Sequence, residues 1–556
     1  MYSLPSDARL DRHLAIEARI EPLPDLLATM SRACGATLTV ERKMMGLKAT
    51  VLVAARPVRR TMGDLASVFD ADWTPVEGGY RLEMSVPKRN LLERYLDAER
   101  KAQREATERK WRSAAAIAKN DWASIPGLLQ ASMTALSGFT TNQDPGFAEA
   151  HARYEALDAV SRNGSNFLLG RMLMGFSDRD WTALWEGRAY YASSIAKGGI
   201  PKLPDDSVAI VAPMNHREPG TPLTPVRAFF RYDLDLGSAG YAVNYDGGSM
   251  LARPGTGWGG EDESLYKHPF RRAQDAWATP RAESKAPELD RPLKRVDRTP
   301  SPWEGPWAND SDTLEVLHRQ SGLDIVAEAS RRASHRAPGP FAEATVREAL
   351  ENWSFAGDTR VEGGALLYRP FAFWNRRPTE PPEAAMRRWE ARPDRGIDAM
   401  AELVAALTPV QARLLASMSS RKRLDRLDSG IPGLRVWAAL STEQRRRLLA
   451  GEGVPLAGLN APAREAALAA MLEGVFGGGS LSGRMLTLFD GPWDPTSLGD
   501  LAIWATTKGV ETGSMWTDAP SGTADESLFK LGPVPGIALE LGPARGDGIT
   551  FTLPQK

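Results

Sequence analysis

The chain is written twice, and this constrains its fold more than any single motif does. Residues 22–84 open on Pro22-Leu23-Pro24-Asp25-Leu26-Leu27, reach Gly35, alternate through Thr37-Leu38-Thr39-Val40 and close on Val76-Glu77-Gly78-Gly79-Tyr80-Arg81-Leu82. Residues 312–369 repeat the grammar. Asp312-Thr313-Leu314 opens a helix-like stretch, Gly322 ends it, Asp324-Ile325-Val326 follows, and Val361-Glu362-Gly363-Gly364-Ala365-Leu366-Leu367 closes it. Such self-similarity means that one supersecondary design is used more than once. It carries fold information and little chemistry.

A chain of 556 residues exceeds a single hydrophobic core, and its length predicts roughly three to five domains. With 42% hydrophobic and 25% charged residues it is a globular composition. The 69 basic and 70 acidic residues leave a net charge of −1, which gives no footprint for a nucleic-acid partner. Cys34 stands alone, so no internal disulfide framework and no Cys-based metal cluster is available. It follows an apolar helix face and reads as a small buried hydrophobe. No apolar run reaches the length of about 18 residues that a transmembrane helix needs. The start, Met1-Tyr2-Ser3-Leu4-Pro5-Ser6-Asp7, lacks the basic and apolar regions of a signal peptide. Two locations follow: cytoplasmic, or periplasmic or cell-envelope if an export signal was removed.

Local patterns outline the first copy. Residues 13–21 alternate as a half-buried strand, which Pro22 and Pro24 end. Asp25 stands at the start of a helix carrying Leu26, Leu27, Met30 and Ala33, with Gly35 as terminator. Leu38 and Val40 mark a second strand and Ala49 to Val53 a third. Arg56-Pro57-Val58 starts a helix with Val58, Met62, Leu65 and Phe69 at helical spacing. Trp73 to Val76 and Tyr80 to Met84 form a hairpin about Glu77-Gly78-Gly79. The order β-α-β-β-α-β-β predicts a small α+β sandwich.

This succession over residues 13–85 (strand, Pro-Leu-Pro-x-Leu-Leu, Gly, strand, Arg-Pro-Val helix, Trp, Gly-Gly-Tyr-Arg-Leu) resembles the short N-terminal domain shared by secretins and TonB-dependent receptors. Residues 312–369 resemble it less closely. Their first strand is not evident, and Pro338, Gly339 and Pro340 interrupt the middle hairpin. The resemblance implies a bacterial envelope location and protein–protein contacts, and it brings no catalytic residues. No barrel pattern follows either copy, so neither parent activity carries over.

A charged helix follows each copy, at 88–112 and 381–392, and the duplication continues beyond. Ser177-Asp178-Arg179-Asp180-Trp181 and Ser441-Thr442-Glu443-Gln444-Arg445 both read as a Ser cap and acidic first turn, and the helices stop at Gly187 and Gly451. Glycine- and proline-rich β sections come next, with strands expected at 207–211, 226–234 and 241–245, then at 536–541 and 548–553. The expected fold class is therefore α+β, multidomain and internally duplicated. Its divisions are an α+β unit at 13–85, a helical segment at 86–200 and a β section at 201–278. A proline-rich linker at 279–302 leads to a second α+β unit at 303–372, a helical segment at 373–475 and a β section at 476–556.

Chemistry is sparse. Gly255-Thr256-Gly257-Trp258-Gly259-Gly260 matches G-x-G-x-x-G, but Pro254 precedes it and Glu261-Asp262-Glu263 follows, which would repel a phosphate. No nucleotide and no other cofactor is expected there. Asp233 and Asp235 lie two apart on a strand pattern, facing one side, where they suit either a cation or a solvated surface. His216, in Pro213-Met214-Asn215-His216-Arg217-Glu218, lies in the most site-like polar loop. Trp258, Trp303, Trp307 and Trp493 stand in loops, which suits either pinning those loops or a platform for a glycan or peptide. The leading reading is a non-enzymatic, envelope-associated scaffold with a protein partner, docking through a sheet edge or the exposed face of the first unit. The alternatives are a glycan- or peptide-binding protein and a hydrolase using His216 with Asp233 or Asp235.

Overall fold

A computed structural model describes residues 6–161, 164–211, 225–233, 238–245, 248–252, 268–277, 285–294, 307–331, 335–336, 341–352, 357–370, 380–393, 396–413, 415, 430–475, 480–481, 489–491, 501–507, 511–512, 534–546 and 548–554. The fold is α+β and multidomain.

The first unit contains β1 (His13–Pro22), α1 (Leu23–Cys34), β2 (Thr37–Val40), β3 (Lys48–Pro57), α2 (Val58–Phe69), β4 (Asp72–Val76) and β5 (Gly79–Glu83). β1 pairs with β3, while β2, β5 and β4 form a separate three-stranded sheet in that order. Each helix begins directly after a proline, Pro22 or Pro57, whose fixed φ and missing N–H suit a helix entry. α1 ends where Gly35 takes φ 77° and returns its N–H to Ser31 O at 2.8 Å, an end that a side chain would strain. Leu26, Leu27, Met30, Leu38, Leu65 and Phe69 are buried in one core, with Val40 and Trp73 packed at its margin. Cys34 is fully buried there.

The second unit contains β10 (Trp307–Ala308), α10 (Asp310–Ser321), β11 (Asp324–Glu328), β12 (His335–Arg336), α11 (Val346–Asn352), β13 (Gly357–Glu362) and β14 (Ala365–Pro370). Its pairing repeats the first unit's: β10 with β12, and β11-β14-β13 in order, with β11 parallel to β14 as β2 is to β5. Of the first strand, which left no sequence pattern, the described residues are Trp307 and Ala308. The hairpin turns show how the copies align. They are Glu77-Gly78 in one unit and Gly363-Gly364 in the other, so the Val-Glu-Gly-Gly strings are offset by one residue. Pro338, Gly339 and Pro340 lie outside the described residues.

The two units are not separate beads. β3 pairs antiparallel with β11, so one five-stranded sheet runs β1-β3-β11-β14-β13 through both. Alternate residues then serve two cores. Ala49, Val51, Val53, Val326, Ala365 and Leu367 face α1 and α2. Leu52, Ile325, Ala327, Leu366 and Tyr368 face α10 and α11. A sheet covered on both faces calls for uninterrupted apolar strands, which the run Ala49 to Val53 supplies around one threonine.

The helical segments follow. The first holds α3 (Val86–Ile117), α4 (Ile125–Ser137), α5 (Phe147–Ser161), α6 (Gly164–Leu173) and α7 (Asp178–Trp185). Ser177 and Asp180 close a capping box at α7. The first β section is a meander of β6 (Tyr190–Ser193), β7 (Arg227–Asp233), β8 (Ser238–Tyr245) and β9 (Gly248–Ala252). Residues expected as its first strand instead form a short helix, α8 (Ser207–Val211), with Ser207 and Ile210 buried. Five residues with an apolar bias do not distinguish the two periods. α9 (Pro269–Trp277) then returns to the first unit, where Trp277 Nε1 donates to Ser67 Oγ at 3.2 Å. Part of the proline-rich stretch expected as a linker is packed down: Leu289 enters the second unit's core and Leu293 N–H donates to Ala344 O at 2.9 Å.

The second half repeats the plan with α12 (Glu383–Ala391), α13 (Ile397–Ala405), α14 (Pro409–Arg413), α15 (Ile431–Ala439) and α16 (Thr442–Leu449). Ser441 and Gln444 close the matching capping box. Beyond come β15 (Val454–Pro455), α17 (Ala461–Glu473), β16 (Ser480–Leu481), β17 (Ala502–Thr506), β18 (Glu511–Thr512), β19 (Val534–Gly542) and β20 (Ile549–Pro554). The order β15-β17-β19-β20 reproduces the meander β6-β7-β8-β9, every step antiparallel.

Candidate functional site

The polar residues singled out in the sequence do not converge among the described residues. Asp233 ends β7, its backbone opposite Ser238. His216, Asp235 and the Gly255–Gly260 loop lie outside the described residues, as do Trp258, Trp303 and Trp493, while Trp307 belongs to β10. Of the tryptophans whose side chains are described, Trp111, Trp181, Trp389 and Trp437 are buried in cores, and Trp73, Trp122, Trp185, Trp277 and Trp504 are half-buried. Among the described residues no group of three His, Cys, Asp or Glu is placed to hold a metal ion.

What the fold builds instead is a set of docking contacts between its own parts. At the β3–β11 junction one sheet edge of the first unit is filled from within the chain. Polar clamps flank it. Asp324 Oδ1 accepts the Ala54 N–H at 2.8 Å, and Thr50 Oγ1 donates to Ser311 Oγ at 2.8 Å. Thr50 Oγ1 also accepts the N–H of Ile20 at 3.1 Å. Ile20 sits at a bulge of β1 with φ 49°, an outlier for a β-branched side chain, and its burial holds it there. Arg19 reaches across to Asp312 and, at 2.6 Å, to Glu315. Arg369 on β14 donates to Ser67 O and Val68 O at the end of α2, at 2.7 and 2.8 Å, and so caps a helix of the other unit.

A second contact joins the units to the following helix. Arg331, fully buried, forms a bidentate pair with the equally buried Glu383 of α12 and reaches Glu390 at 2.6 Å. Lys48 Nζ, also buried, lies 2.9 Å from Glu380. Burial alone would lower the pKa of Arg331, but its hydrogen bonds to Glu383 and Glu390 outweigh that and raise it above the ordinary value. The third contact joins the β sections. Arg227 on β7 forms a fully buried bidentate pair with Asp490, at 2.7 and 2.6 Å, and Ser193 Oγ donates to the same carboxylate at 2.7 Å. Phe229 and Phe489 meet edge to face beside it. No sequence spacing could announce these pairs, because their partners lie 263 and 52 residues apart.

Two of the other sheet edges are guarded. β4 carries Pro75, which offers no N–H to a further strand. β1 is broken by two register shifts. The outer face of the β2-β5-β4 sheet is open and polar, with Thr39 opposite Arg81, both exposed. A depression of about 320 Å³ along α3 is lined by charges of both signs, among them Arg100, Arg104 and Glu108, with Trp185 at one side. Among the described residues no helix is long and apolar enough to cross a membrane. No family model, curated protein or solved structure matches this chain.

Proposed function

We propose that this protein is a non-enzymatic scaffold of the cell envelope, working through protein contacts made by its α+β units. One observation carries the reading. The two units are joined by adding a strand edge of one to a strand edge of the other, a mode by which extended segments recognise sheets in general. A unit that docks this way within the chain has the surface chemistry to dock on a partner. The envelope location rests on the resemblance of residues 13–85 to the short N-terminal domain of secretins and TonB-dependent receptors. With the β3 edge occupied, the surface left for a partner on the first unit is the polar outer face around Thr39 and Arg81.

Capture of partners from the native host with the full chain tests this. Thr39→Glu and Arg81→Glu should reduce capture, while His216→Ala and Asp233→Ala should leave it intact. Exposed substitutions of this kind change folding stability by only about 0.5 kcal/mol, so lost capture reads as a lost surface. If the His216 and Asp233 variants lose function while the face variants keep it, the scaffold gives way to an enzyme.

A further inference from the structure

α3 crosses from one core to another. Leu92 and Tyr95 belong to the core of the first unit, and Trp111 and Ala114 to that of the helical segment. Between them the helix carries Asp97, Arg100, Arg104 and Glu108 a turn apart, with Lys101 and Glu105 beside them. By the helical period these residues share one face. They floor the depression of about 320 Å³, and Trp185 at the end of α7 walls it. That volume lies at the small end of the range for small-ligand pockets, roughly 300–1,000 Å³. Every lining residue is among the described ones.

The wall is held in place from three sides. Trp185 Nε1 donates to Glu108 Oε2 at 3.0 Å, Tyr232 meets the indole edge to face at a centroid distance of 4.7 Å, and Trp181 stacks on it at 6.1 Å. On the floor, Arg100 lies 3.6 Å from Asp97 and Lys101 3.9 Å from Glu105, each with more than half of its side-chain surface exposed. Ion pairs so exposed hold weakly and open to another hydrogen-bonding partner. Glu108 is matched by Arg112 at 2.7 Å. Arg104 has no carboxylate partner among the described residues. Its guanidinium lies 5.8 Å from the centre of the Tyr232 ring, and its Nε is buried without a hydrogen bond. The floor therefore keeps one cation uncommitted.

The groove thus combines several hydrogen-bonding side chains, one aromatic wall and one spare positive charge. A flat aromatic acid would stack on the wall but leave the other polar groups of the floor desolvated without partners, which is costly. A hydroxylated ring supplies those partners, and its C–H face suits the apolar body of an indole.

We propose that this groove binds an acidic sugar, with Arg104 taking the carboxylate, the other charged side chains of α3 the hydroxyls and Trp185 the ring face. The site shares no residue with the polar face around Thr39 and Arg81, so it goes beyond the scaffold reading and holds whatever the scaffold's partner is. Saturation-transfer NMR on the full chain tests it, with glucuronate, glucose and benzoate as probes. Glucuronate should bind with a Kd of about 1 mM, as suits a small ligand in an open groove. Glucose, which lacks the charge, should bind roughly tenfold more weakly, and benzoate no better than glucose. Arg104→Met keeps the side-chain stem and a good helix former, so the helix is preserved. It should bring glucuronate down to the glucose level, while Arg104→Lys, which keeps the charge, should hold it above that level. Arg81→Glu should leave both sugars as they are. No transfer to glucuronate, benzoate binding as tightly as glucuronate, or wild-type glucuronate affinity in Arg104→Met overturns the proposal. So does a loss in Arg81→Glu, which would put the sugar on the other face.

Discussion

Arg331 is the residue on which most depends locally. It carries charge into the space between the second unit and α12, where Glu383 is buried with it. Removing one member of such a pair leaves the other charge desolvated, so Arg331→Met should cost about 3–5 kcal/mol. Denaturant unfolding measures this as a lower midpoint at unchanged slope. A loss under about 1 kcal/mol would mean that Lys48 and Arg387 already neutralise Glu383. Because the Arg331 pKa is raised, its contribution is complete below the ordinary arginine value. The destabilisation should therefore be the same at pH 6 and at pH 8.

At the scale of elements, the tightest fit lies between β2 and β5. A Cβ on Gly79 would stand 1.8 Å from Thr37 O and 2.6 Å from its carbonyl carbon, both rigid backbone atoms. Gly79→Ala should therefore push β2 off its partner and cost at least the roughly 1–3 kcal/mol of an overpacked site. Gly63 on α2 meets nothing within 4 Å, so Gly63→Ala should stabilise by about 0.5–1 kcal/mol through helix propensity alone. Thermal unfolding of the two variants should move in opposite directions, and a shared direction would contradict the geometry. The elements themselves were legible where their signals are local. The Leu26, Leu27 and Met30 face, the terminator Gly35 and the two serine capping boxes all stand as the residues announce. The segment Ser207–Val211 was not legible: an apolar pentad suits helix and strand alike, and burial decided for helix.

At the scale of the molecule, the two units share a sheet and both of its faces, so they should unfold as one. Amides of β3 from Thr50 to Val53 and of β11 from Ile325 to Ala327 should exchange with solvent through a single opening of common free energy. Native-state hydrogen exchange on the full chain checks this. A lower opening energy confined to β11 would show two independent units.

The sequence by itself determined the duplication, the order β-α-β-β-α-β-β of the first unit and the capped helices that follow each copy, because these rest on periodicity, caps and turns within a few residues of one another. The run Ala49 to Val53 read as a strand, and nothing local named what covers its two faces. Only the tertiary structure decided that β3 takes β11 as its neighbour, that Arg227 meets Asp490, and that Arg331 meets Glu383. Pairing across more than two hundred residues is set by complementary surfaces that exist only once each unit has folded, and a backbone edge looks the same in sequence whether it is filled, guarded or free.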